Sequence, residues 1–171
     1  MLRPQPGAVP APTGGLPLSG RPAVGGAFAW VGCHGGAGVT TLQHTVPGGI
    51  DGDRVWPGPL PAGGLQPVVL VCRSHAAGLM TAQQAAAQWA SGQLPHIDLV
   101  GLVVVADAAG RLPRPLRDLL RLVSGGLPRT WHVPWVEPWR QGDPVTDHQP
   151  RELTALAREL SHLTDRSHPH V

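Results

Sequence analysis

The sequence predicts an α/β fold of three layers, with a small, mostly parallel sheet of about four strands between helices. Three observations carry this. Short continuous apolar runs at 27–31, 68–72 and 99–105 suit strands covered on both faces. Segments with apolar residues at helical spacing alternate with them. Glycine or proline stands at most junctions, because 23 Gly and 20 Pro punctuate 171 residues. That length suits one domain with tails.

Residues 1–25 are rich in Pro and Gly and lack periodicity, so a disordered tail is expected. Residues 27–31 form the first strand, which ends at glycines. Residues 39–45 allow about two helical turns before Pro47 stops them. Residues 47–66 read as a long Gly/Pro loop, unusual inside a compact domain. Residues 68–72 are a buried strand. Residues 75–91 follow as a helix, with Leu79, Ala82, Ala86 and Trp89 on one face and Gly92 as a stop. Residues 99–105 are the next strand. A helix at 115–123 has Pro115 at its start and Gly125-Gly126 after its end. Residues 130–133 are a fourth, short strand. The last helix, 150–163, aligns Leu153, Leu156, Leu160 and Leu163. This alternation implies a parallel sheet with right-handed crossovers. The domain spans 26–164, and 165–171 form a flexible tail.

Composition removes several function classes. All 13 basic residues are Arg, with no Lys, which points to a GC-rich genome. A net charge of +2 is too small to argue for nucleic acid. Cys33 and Cys72 do not make a disulfide framework. No apolar run follows Arg3, so no secretory signal is expected. The longest apolar run, 99–106, falls far short of the roughly 20 residues that span a bilayer. A cytoplasmic protein with no membrane span is expected.

The most informative stretch is Trp30-Val31-Gly32-Cys33-His34-Gly35-Gly36-Ala37-Gly38-Val39-Thr40-Thr41. Glycines between a strand and a helix let successive backbone N–H groups face an anion, and the helix adds the positive end of its dipole. Thr40 stands where a hydroxyl would ligate Mg²⁺. The segment resembles the phosphate loop of the MinD/ParA family of deviant Walker ATPases, G-K-G-G-x-G-K-T-T. The glycines and threonines match. Both lysines are missing, with His34 at the signature lysine and Val39 at the lysine that holds the β- and γ-phosphates.

The resemblance extends along the chain from 27 to 163. Pro67-Val68-Val69-Leu70-Val71-Cys72 is similar to the strand after the family's Walker B segment. Residues 99–107 are similar to the strand that reaches the base, with Asp107 where the family often has Asn. Val133-Pro134-Trp135 and then Gly142-Asp143-Pro144-Val145 are similar to the last strand, its proline and the G-x-P-V before the final helix. The resemblance implies P-loop NTPase-like topology, truncated and degenerate. It places nucleotide contacts at His34, Gly35, Gly36, Ala37, Gly38, Val39, Thr40, Thr41, Asp107 and Pro134.

One block is missing. The family's switch I and Walker B strands have only residues 46–67 in their place. Ile50-Asp51-Gly52-Asp53 is similar to a switch I I-D-x-D but reads as an Asp-Gly turn, and no acid follows an apolar strand here. Without that strand, 27–31 becomes a sheet edge, in the order 27–31, 68–72, 99–105, 130–133. The final leucine stripe should then cover the face opposite the 75–91 helix.

Phosphoryl transfer needs positioned positive charge and an acid for Mg²⁺. Losing such groups costs ~10²-fold or more each in rate, so hydrolysis is not expected and no catalytic residue is assigned. Arg73, Arg111 or Arg140 are the candidates for substitute charge. ATP or another nucleotide would bind weakly, with or without Mg²⁺.

Cys33, His34, Cys72 and His75 sit at the ends of two strands that the resemblance places side by side and could together bind Zn²⁺, although C-H…C-x-x-H matches no standard ligand pattern. Arg114, Arg117 and Arg121 share a helix face that reads as solvated. Trp135 and Trp139, in a Pro-containing loop, and Trp56, beside the expected edge, are the candidate partner surface. The expectation is a catalytically degenerate protein of this fold acting as a regulatory or assembly partner. The alternatives are a weakly binding ATP/GTP switch and a zinc-stabilised binding module.

Overall fold

In the structure, a computed structural model that describes residues 3–167, the apolar run at its centre is a strand buried along nearly its whole length. The elements are β1 (Phe28–Gly32), α1 (Val39–Thr45), β2 (Gly49–Asp51), β3 (Gln66–Arg73), α2 (Ala76–Ala90), β4 (Ile97–Val105), α3 (Arg114–Gly125), β5 (Thr130–Val133), α4 (Glu137–Gln141) and α5 (Arg151–Ser167). Five parallel strands form one sheet in the order β2-β1-β3-β4-β5.

Side chains alternate between two cores, as strand geometry requires. Ala29, Val31, Val68, Leu70 and Cys72 face α2 and α3, where Leu79, Ala82, Ala86 and Trp89 are buried. Phe28, Trp30, Val69, Val71 and Val103 face α1 and α5, where Leu42, Leu153, Leu156 and Leu160 are buried. The fold is therefore three-layered, and the α5 stripe covers the face opposite α2 as expected. Leu163 is only partly buried. An irregularity in the β3–β4 register lets Val68 pair with Leu99 and Val69 with Gly101. It shifts the alternation by one, so that Leu99 and Leu102 share the α2 face. Among the described residues no helix is long and apolar enough to cross a membrane.

The sheet has five strands rather than four, and the fifth lies inside the expected 47–66 loop. β2 pairs in parallel with β1, with Ala29 opposite Ile50. β1 is therefore not an edge, and the expected edge surface at 27–31 does not exist. The β1–α1–β2 crossover travels outward on one side of β1, while β3, β4 and β5 follow on the other. Crossovers of one hand running in opposite directions put their helices on opposite faces, which is why α1 lies across the sheet from α2 and α3.

This arrangement leaves β1 without a helix on the α2 face, and the amino-terminal segment fills the gap. Leu16 and Trp56 are buried beside Ala29 and Val31. The Trp56 backbone donates to Pro17 and accepts from Ser19, and Gly58 donates to Arg21. Residues 16–21 are thus a docked arm, not the disordered tail expected for 1–25. Trp56 is fully buried, so it leaves the candidate partner surface. At the other end, α5 extends to Ser167 into the expected flexible tail; residues 168–171 lie outside the described residues.

Candidate functional site

The strand order reverses direction between β1 and β3, since β2 leaves to one side of β1 and β4 to the other side of β3. Ligands in open parallel sheets bind in the crevice at such a point, beyond the carboxyl ends of the strands. The glycine-rich loop, residues 33–38, lies there. Gly36 and Gly38 have φ of 72° and 108°, a left-handed region that suits glycine. Set between residues of negative φ, they make the alternation that turns successive N–H groups to one side. Gly38 accepts the amide of Leu42 as the first bond of α1. The N–H groups of Val39, Thr40 and Thr41 therefore have no acceptor within the helix.

A cleft of about 380 Å³ opens over this loop. Gly35, Gly36, Ala37, Gly38, Thr40 and Thr41 line it, so the structure brings these expected residues together. Val39 also borders the cleft, but its side chain is half-buried and packs against the α5-side core. It brings no charge to the cleft.

His34 lines the cleft but holds the loop rather than offering a free cation. Its Nε2 accepts the Arg73 amide at 3.0 Å, so its proton sits on Nδ1, 2.9 Å from the Gly35 carbonyl. His75 caps α2 by accepting the Gly78 amide at its Nδ1. The two rings lie 5.0 Å apart at a 52° tilt. A Cβ on Gly78 would come within 2.8 Å of His34 Nε2 and 2.5 Å of the Arg73 carbonyl. Glycine at 78 is what permits this close approach of loop, strand and helix.

The charge in the cleft comes from two arginines. Arg73, one of the expected substitutes, donates from Nε to the Gly36 carbonyl at 3.2 Å and from Nη1 to the Ala106 carbonyl at 3.0 Å. Arg54, from the turn after β2, lies 3.6 Å from the Cβ position of Gly35 and lines the same cleft. Sequence reasoning missed Arg54, because only the unanticipated strand β2 carries it to the loop. It also missed Asp51 and Asp53, which line the cleft as well. Asp51 ends β2, so the segment is a short strand followed by a turn, and the reading of it as a bare turn is corrected. The turn itself is real: Asp51 Oδ1 accepts the Asp53 amide, and Asp53 has φ of 59°. The Asp53 carbonyl then accepts the Gly32 amide, which ties the turn to the base of the loop.

A second cleft of about 310 Å³ shares Thr41 and Arg73 with the first. Asp107, Pro134, Trp135, Trp139, Arg140 and Val145 line it. The structure thus assembles the residues expected at the ends of β4 and β5. Trp135 and Trp139 are half-buried walls of this cleft, and Trp139 also packs on the α5-side core. Both keep part of their surface exposed. The Trp139 Nε1 donor is buried and makes no hydrogen bond. Arg111 lies in neither cleft.

Cys33 stands one step past the Gly32–Val71 pair, which puts it beside Cys72 on the neighbouring strand. Both thiols are buried. Desolvation, and for Cys33 also the neighbouring thiol, pushes them up, Cys72 to about 12. The His34 ring is committed at both nitrogens, and among the described residues no three His, Cys, Asp or Glu converge on a metal position. These four residues are therefore neighbours without being a ligand set.

Backbone N–H groups, two guanidinium groups and an adjoining half-apolar cleft can hold an anion joined to a flat or apolar body. No curated protein and no solved structure matches the chain. A family described as a family of unknown function, DUF6668, matches residues 27–156, from the start of β1 into α5. That match covers more than half of the chain, and the protein belongs to the DUF6668 family.

Proposed function

We propose that this protein is a catalytically degenerate P-loop NTPase-like protein of MinD/ParA type. It binds a nucleotide or related phosphate ligand without turning it over, and acts through that bound state as a regulatory or assembly partner of another protein. The observation that carries this reading is the pair of clefts joined at Thr41 and Arg73. One is walled by backbone N–H groups and arginine, as phosphates require. The other offers Asp107, Pro134, Trp135 and Trp139 to a base.

The arginines reach the loop from β2 and β3 rather than from the loop itself. A guanidinium grips phosphate oxygens in pairs, which supports binding. Val39 leaves the lysine position empty of charge, which argues against turnover. Thr40 and Asp51 both line the phosphate cleft, and an alcohol and a carboxylate are the oxygen donors Mg²⁺ takes. They would hold it beside the phosphates, where it would offset their charge. Two thiols without disulfide partners favour the cytoplasm as the working compartment.

The test is calorimetric titration with ATP, ADP and inorganic phosphate, with and without Mg²⁺, alongside a hydrolysis assay. Nucleotide should bind saturably, Arg73→Ala should weaken it about tenfold or more, and Val39→Lys should tighten it. Hydrolysis should stay at the protein-free blank. Turnover that Thr40→Ala abolishes would overturn the degenerate reading. No nucleotide binding by either the wild type or Val39→Lys would overturn the site itself.

A further inference from the structure

On the α2 and α3 face, a separate cleft of about 620 Å³ opens between the loop at 106–113 and α3. Its volume is within the range of small-molecule sites. Val104, Leu112, Leu116, Leu120 and Val133 make its walls. It shares Ala106, Asp107 and Pro134 with the second cleft and nothing with the glycine-loop cleft.

Apolar walls are ordinary beneath an amphipathic helix; the cation among them is not. Arg117 lines this cleft, and its Nε is buried without a hydrogen-bond partner. Its helix neighbours Arg114 and Arg121 both reach Asp118, while among the described residues Arg117 makes no ion pair. Partial withdrawal of this guanidinium from water strengthens its attraction for an anion that enters the cleft. Arg111 lines the same cleft, against the single carboxylate of Asp107. His75 and His132 also face it. Partial desolvation holds His132, at the exposed side of β5, below its ordinary value.

We propose that this cleft binds a small amphipathic carboxylic acid, its apolar body along Leu112, Leu116 and Leu120 and its carboxylate on Arg117. Charge complementarity selects the acid over a neutral apolar ligand, and a volume of this size suits a small molecule. The proposal does not depend on the nucleotide reading.

The experiment titrates the full chain with dodecanoate, below its micelle concentration, by displacement of 8-anilinonaphthalene-1-sulfonate. One saturable site is expected. Arg117→Met, which keeps the apolar stem, should weaken dodecanoate roughly tenfold to a hundredfold, and Arg117→Lys should recover part of that. Leu120→Trp, which fills the cleft, should abolish binding. Dodecanol should bind at least about tenfold more weakly than dodecanoate. Thr40→Ala should leave dodecanoate binding unchanged, because Thr40 lines only the glycine-loop cleft, so failure here is distinct from failure of the nucleotide site. Circular dichroism checks that each variant is folded. Equal binding of dodecanol and dodecanoate, or wild-type binding by both Arg117→Met and Leu120→Trp, would mean unspecific apolar uptake and overturn the proposal. So would displacement of the dye by an acidic amphipathic peptide but not by dodecanoate, which would mark a protein-docking groove.

Discussion

Gln88 connects the amino-terminal arm to the domain through one side chain. Its Oε1 accepts the Leu16 amide at 3.1 Å and the Trp56 indole at 2.7 Å, and its Nε2 donates to the Leu16 carbonyl at 3.1 Å. All of this is buried. Gln88→Leu keeps the size but leaves three polar groups without partners. The expected cost is about 2–4 kcal/mol, with subtilisin now cutting within residues 16–21 while the 27–156 core survives. Gln83→Leu, on the exposed side of the same helix, is the control. If both variants match the wild type in melting temperature and digestion pattern, the arm is not held this way. Little of this arrangement was legible in the sequence. Trp56 sits among glycines and prolines with no periodicity, and the residues that bury it lie some forty positions upstream. The loop residues were legible, because glycine spacing is itself the geometric requirement. Their charge partner Arg54 was not, since its place depends on a strand only three residues long.

That strand is the element on which the site turns. Three residues cannot display an alternating pattern, so β2 hid inside a Gly/Pro loop, whereas α2 and α5 advertised their buried faces over three or more turns. What fixes β2 is the absence of a side chain at Gly49. A Cβ there would lie 2.2 Å from Trp30 Nε1 and 2.5 Å from Phe28 Cε2. Those two rings meet edge-to-face, 4.8 Å apart, in the α5-side core. Gly49→Val must push either the rings or the strand. Overpacking of this kind costs about 1–3 kcal/mol, and the strand, being an edge, is the easier to move. Asp51, Asp53 and Arg54 move with it. The expected result is a lowered melting temperature with nucleotide affinity reduced about tenfold or more, and unchanged dodecanoate binding at the distant α3 cleft. Nucleotide affinity equal to wild type in a destabilised Gly49→Val would show that β2 does not serve the site.

At the scale of the whole molecule, the layering followed from the alternation of strand and helix, and only the missing outer strand misplaced the edge. Composition and fold together also make an unusual statement about alkaline pH. The chain has no Tyr and no Lys, so the side chains that ordinarily titrate between pH 9 and 12 are absent, except for two thiols. Both are buried side by side, Cys33 just past the end of β1 and Cys72 near the end of β3. In the unfolded chain they ionise near 9.0; in the fold Cys33 is held well above that and Cys72 at about 12. The folded state therefore keeps protons that the unfolded state loses. The stability this contributes is complete below pH 9 and drains away as pH rises toward 12. Each thiol should add a slope of ~1.4 kcal/mol per pH unit in that window. Arginines stay charged throughout. Urea unfolding between pH 8 and 11.5, under a reductant, should give a wild-type stability that falls by roughly 1.4–2.8 kcal/mol per unit above pH 9.5. Cys33→Ala/Cys72→Ala should start lower, for the lost burial, and run nearly flat. Parallel curves for the two proteins would mean that the thiols are not the groups that set the base limb, and that they do not sit protonated in the core of this sheet.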